Sequence, residues 1–79
     1  MEDLLEYLAR ALVDQPDAVE VEGFEEDDGT IVLELRVAAE ETGKVIGRGG
    51  RTIAALRTVI KASSVKENRR VLVDVIDAD

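Results

Sequence analysis

Val45-Ile46-Gly47-Arg48-Gly49-Gly50-Arg51-Thr52-Ile53 is the stretch that decides how this chain reads. At its centre is a Gly-x-x-Gly tetrad, Gly47 to Gly50, entered by the apolar pair Val45-Ile46 and followed three residues later by Ile53. Glycines let a backbone come close to a ligand, and a turn of bare N–H groups makes an anion-binding concavity. Arg48 inside the tetrad and Arg51 just after it point to phosphate as the anion.

The charge pattern supports that reading despite the overall balance. The 79-residue chain carries a net charge of −8, which taken alone argues against nucleic acid. The charge is unevenly spread, however. Residues 1–41 hold fourteen acids and two bases, residues 42–70 hold eight bases and one acid (Glu67), and residues 71–79 hold three acids. The basic block coincides with the glycine tetrad. A polyanion feels the nearby charges, because those beyond about 8–10 Å are screened in physiological salt.

Working outward from the tetrad, apolar residues at Ile53, Leu56, Val59 and Ile60 recur at helical spacing, so a helix is expected over 51–64, loosened at Ser63-Ser64. Before the tetrad, Ala39 to Ile46 reads as a helix of two turns at most, stopped by Gly47. Ile31, Leu33, Leu35 and Val37 alternate with Glu34 and Arg36, and Val19 to Glu22 alternates as well. With the Asp27-Asp28-Gly29 turn between them, these runs predict an antiparallel hairpin. Val71, Val73 and Val75 mark a third strand. Leu4, Leu5, Leu8, Ala11 and Leu12 predict an amphipathic helix over 3–14, ended at Gln15-Pro16-Asp17. The acidic run Glu25 to Asp28 reads as a solvated hairpin tip, since four adjacent acids lack the spaced ligands of a calcium loop.

The predicted order is αββααβ, an α+β domain in which a three-stranded sheet with three helices packed on one face hides every apolar stripe. This order, the chain length and the Val-Ile-Gly-x-x-Gly-Arg-Thr-Ile run resemble a type II KH domain, over 1–79 as a single domain. The similarity is greatest to the small bacterial single-KH RNA-binding proteins of the KhpA-like group. It extends to the Pro16-Asp17 corner, the Gly43-Lys44 lead into the tetrad, and Arg69-Arg70 before a valine-rich last strand. The resemblance implies binding of single-stranded RNA and a role in bacterial post-transcriptional regulation or as an RNA chaperone. It also implies self-association as a homodimer, or a complex with a larger KH-containing protein of the KhpB or Jag-like kind.

In such a domain the loop clamps the backbone of about four nucleotides. Gly47, Gly49 and Gly50 would admit a phosphate, and Gly50 opens the following helix, whose N-terminus favours anions. Arg48 would contact phosphate or sugar. Arg51 sits in a first helical turn, where a cation opposes the helix dipole, so its reading is functional. Lys44 is expected to approach from the other side of the loop. Val45, Ile46 and Ile53 are expected to border an apolar trough for the bases, walled opposite by the edge of the sheet. Base edges would be read mainly by backbone groups, with Arg57, Lys61 and Lys66 read as a solvated face rather than specific contacts. One Tyr, one Phe and no Trp leave no stacking platform, so modest affinity is expected.

Two other readings are open to the chain. A nucleotide-handling enzyme is disfavoured: Arg51 stands where a P-loop lysine belongs, and a G-x-G-x-x-G pattern would need glycine at Thr52. Without His or Cys, neither the commonest general base nor a thiolate ligand is present, so no catalytic residue, metal or cofactor is expected. A protein-interaction module remains as the alternative, favoured by the acidic N-terminal half. No apolar run approaches the roughly 20 residues of a membrane span, and the acidic start Met1-Glu2-Asp3 is unlike a signal peptide, so a cytoplasmic location is expected.

Overall fold

The computed structural model describes residues 1–65 and 68–78. Helix α1 spans Glu2–Leu12, strand β1 Glu20–Glu25, strand β2 Ile31–Ala38, helix α2 Thr42–Ile46, helix α3 Arg51–Ser64 and strand β3 Val71–Ala78. Short 3-10 turns at Pro16–Ala18, Ala39–Glu41 and Arg48–Gly50 join them. This is the αββααβ order expected.

The sheet has the order β1-β2-β3. β1 pairs antiparallel with β2 from Glu20↔Arg36 to Glu25↔Ile31, while β3 lies parallel to β2 from Ile31↔Val71 to Ala38↔Ala78. A parallel pair needs a crossover, and α2, the tetrad and α3 supply it. Both outer strands therefore have an open edge, and that of β3 lies beside α3.

Alternation assigns the two faces of the sheet. Leu33, Leu35, Val37, Val71 and Val73 point inward and are buried with Leu5 and Ala9 of α1, Val45 of α2, and Ile53, Leu56 and Ile60 of α3. Burying such side chains contributes roughly 1.5–3 kcal/mol each, which is what holds the helical layer on the sheet. The opposite face carries Glu22, Glu34 and Asp74 in register, next to a row of Phe24, Val32 and Leu72.

Several boundaries and faces differ from expectation. α1 ends at Leu12, and its buried line is Leu5–Ala9, with Ala11 and Leu12 turned outward. β1 starts at Glu20 and runs to Glu25, so Glu25 belongs to the strand and only Glu26 to Gly29 make the tip. There Asp28 Oδ1 accepts the Thr30 N–H at 2.9 Å, so this carboxylate serves the turn. Val59 is 43% exposed, because α1 does not cover that flank of α3. Lys66 lies outside the described residues. No helix among the described residues is long and apolar enough to cross a membrane.

Candidate nucleic-acid interface

The tetrad forms a tight turn held by its own backbone. The Gly47 N–H closes α2 onto Gly43 O at 2.8 Å, and the Gly50 N–H reaches Gly47 O at 3.1 Å. The Arg51 N–H bonds to Arg48 O. Two amides expected to meet an anion, those of Gly50 and Arg51, are thus used inside the turn. No acceptor within the described residues takes the Arg48 or Gly49 amide. Free donors are thus found in the middle of the tetrad.

Gly47 sits at φ 79°, ψ 168°, a region that glycine alone adopts readily. A Cβ there would lie 2.8 Å from the Thr52 backbone nitrogen, so the chain folds back against α3 too closely for any side chain. Gly50, at φ 77°, ψ 15°, turns the chain left-handed into α3. Arg48 and Arg51 are both exposed at this corner.

Beside the tetrad runs a cleft of about 550 Å³ lined by Ile46, Ile53, Arg57, Asp74, Val75 and Ile76. Two residues expected at the trough, Ile46 and Ile53, form its wall on the helical side, and the edge of β3 forms the other. Val45 does not reach it. At 0% exposure Val45 belongs to the core, because i and i+1 positions of a helix face different ways. Val45 can shape the trough only from behind.

Lys44 is drawn away from the trough. Its Nζ pairs with Asp14 Oδ2 and lies 3.4 Å from Glu41 Oε2, tying α2 to the chain just after α1. The hydrogen bond to Asp14 raises the lysine pKa above its ordinary value, with partial desolvation opposing it. Glu41, 2% exposed, accepts the Gln15 N–H on Oε1 at 2.9 Å and the Asp14 N–H on Oε2. This buried carboxylate is invisible in the sequence, since its partners lie 26 and 27 residues away.

Arg57 also departs from expectation. Its Nε and Nη2 both donate to Val73 O, at 3.1 and 3.0 Å, so its guanidinium bridges α3 to the open edge of β3. It stands within the trough as a fixed cation, and the remaining guanidinium donors are left for a ligand. Asp74, Val75 and Ile76 were not foreseen by name; only the topology, which leaves β3 at the edge, brings them to the site. The corner therefore combines two free backbone amides, two exposed arginines and an apolar trough with a strand edge: the arrangement of a clamp for a single-stranded polyanion.

Fold and site together define a KH domain. The chain matches the KhpA/KhpB KH-domain family over residues 2–75, and it belongs to that family. It is 54% identical over 76 residues to the RNA-binding protein KhpA of Clostridium acetobutylicum, covering 96% of this chain and 100% of that protein. It is also 50% identical over 78 residues to the RNA-binding protein KhpA of Halalkalibacterium halodurans, covering 98% and 100%. The RNA-binding protein KhpA of Streptomyces coelicolor is 47% identical over 79 residues, covering 100% of this chain and 95% of that one.

Proposed function

We propose that this protein binds single-stranded RNA, holding the sugar–phosphate backbone at Gly47–Gly50 while bases enter the trough beside it. The observation that carries the reading is that the trough opens directly beside a tetrad whose Arg48 and Gly49 amides have no acceptor among the described residues. In the clamped complex Gly47 and Gly50 shape the turn, Gly49 admits the phosphate, and Arg48 and Arg51 neutralise it. Ile46 and Ile53 meet base faces, and the free backbone groups of β3 read base edges. Val45 and Lys44 support the site from behind, through the core and through Asp14. Two or three neutralised phosphates give a salt slope of about −1.5 to −2. The relatives named RNA-binding protein KhpA support this reading, and we place the protein in cytoplasmic post-transcriptional regulation or RNA chaperoning, without catalysis.

The test is binding of a fluorescent single-stranded RNA pool to the wild type and to an Arg48→Asp/Gly49→Asp variant, both checked for folding by circular dichroism. Binding by the wild type and loss in the folded variant support the clamp. Equal failure of both at low salt refutes RNA binding by the domain over 1–79, and competition with single-stranded DNA separates the two nucleic acids.

Self-association is the second reading. An apolar cleft of about 280 Å³ lies between α1 and α3, formed by Leu8, Leu12, Ala55, Leu56 and Val59 among others. Leu12 and Val59 are exposed there, on the flank away from the β3 edge. A second copy docked on this flank would present two tetrads, and bivalence raises avidity without new contacts. Light scattering on the wild type and Val59→Asp tests it: a dimer that becomes a monomer supports the homodimer. A monomer in both cases leaves the larger KH-containing protein as the partner to assay.

A further inference from the structure

At the far end of α3 from the tetrad there is a second cleft, of about 440 Å³, lined by Lys61, Asn68, Arg69 and Arg70 with the apolar side chains of Val65 and Leu72. α3 has 14 residues, so this cleft lies about 20 Å along the helix from the tetrad. The two sites are not isolated from each other. A shallow depression between them is lined by Arg57, Lys61 and residues Val71 to Asp74. It shares Arg57 and Asp74 with the trough, and Lys61, Val71 and Leu72 with the far cleft. The surface beside the edge of β3 therefore carries three adjoining depressions, with Arg57 shared by the trough and the middle one and Lys61 shared by the middle one and the far cleft.

We propose that the far cleft is a second phosphate site for the same RNA strand, extending the footprint beyond the nucleotides held at the tetrad. The inference rests on the RNA-binding reading above. Among the described residues, three cations line the cleft and no acid does. Its exposed apolar flank, with Val65 at 72% and Leu72 at 37% exposure, suits a ribose or base next to the phosphate. The acids near it among the described residues do not close it. Arg69 meets Glu25 at 3.4 Å, but both side chains are about half exposed, and such a pair contributes little. A phosphate replaces Glu25 at the arginine fork with stronger, charge-assisted bonds. Asp28, whose carboxylate feels Arg70, is already engaged by Thr30.

The experiment compares a tetranucleotide with a dodecanucleotide of the same base by fluorescence anisotropy. The proteins are the wild type, Arg69→Gln/Arg70→Gln and Arg69→Lys/Arg70→Lys, each checked by circular dichroism. Wild-type protein binds the dodecanucleotide tighter than the added registers explain. The Gln variant loses that advantage, its dodecanucleotide salt slope falls by about 1.4 for two lost phosphate contacts, and tetranucleotide binding is unchanged. The Lys variant, which keeps the charge, retains most of the advantage. Unchanged dodecanucleotide binding in the Gln variant overturns the second site, as does an equal weakening for both lengths. If the wild type binds neither length, the RNA-binding reading itself fails, and the two failures are distinguishable.

Discussion

Replacing Gly47 with alanine should unfold this domain more readily than it should weaken its grip on a ligand. The glycine adopts φ 79°, ψ 168°, and a non-glycine residue held in that region costs about 1–3 kcal/mol. The added Cβ would also sit 2.8 Å from the Thr52 backbone nitrogen, and backbone cannot swing aside as a flexible side chain does. Conformation and contact together come to about 3 kcal/mol, a large share of the roughly 4–12 kcal/mol expected for a domain of this length. At about 4–8 °C per kcal/mol, the melting temperature of Gly47→Ala falls by about 12–24 °C. Gly49→Ala is the matched control: its φ of 63° is left-handed, but a Cβ there meets nothing within 4 Å. Its cost is about 1 kcal/mol, or about 4–8 °C. Thermal unfolding followed by circular dichroism measures both. At a temperature where both remain folded, Gly49→Ala should be the worse RNA binder. Melting temperatures within two or three degrees of each other would refute the division of labour between the two glycines.

Four further outcomes are expected. Glu41→Ala strips the partners from two backbone N–H groups and should destabilise the domain by about 3 kcal/mol in urea unfolding. Arg57→Gln releases Val73 O and removes a trough cation, so stability should fall by about 1 kcal/mol and the RNA salt slope by about 0.7, both read on one sample. Asp74→Asn removes an acid at the rim of the trough and should tighten RNA binding about twofold at low salt, less at high salt. Finally, stability should respond to pH at both extremes. The backbone and hydroxyl hydrogen bonds from Thr30 hold the Asp28 carboxyl below its ordinary pKa, so its contribution is present above that value and lost as pH falls through the depressed one. The Asp14 hydrogen bond holds Lys44 above its ordinary pKa, so that contribution is present below the ordinary value and lost as pH rises through the raised one. Melting curves across pH should flatten on the acid side for Asp28→Asn and on the alkaline side for Lys44→Met.

The elements were legible because their periods are unambiguous. Ile53, Leu56 and Ile60 mark the buried side of α3, and the alternation from Ile31 to Val37 fixes which face of β2 is inward. The faces failed where burial depends on a neighbour rather than on spacing. Val59 fits the α3 stripe, yet it lies on a flank that α1 does not cover and is 43% exposed. Val45 and Ile46 look alike in sequence, but one turns into the core and the other into the trough. Charged residues were the least legible. Lys44, Arg57 and Glu41 all bind groups 16 to 30 residues away, and a linear reading sees only that they are charged, as the 30-residue separation of Lys44 and Asp14 illustrates. The tetrad was legible as a turn, but which of its amides stay free required the closed geometry.

The parallel pairing of β2 with β3 joins residues 40 positions apart along its whole length, as Ile31↔Val71 and Ala38↔Ala78 show. The glycine tetrad lies on the connection between them. Closing so long a loop is entropically demanding and sets the pace of folding in domains with non-local pairing. The trough has its second wall only once β3 has been made, however early the hairpin and the first helix appear. Nucleic-acid affinity is therefore expected only with the completed fold.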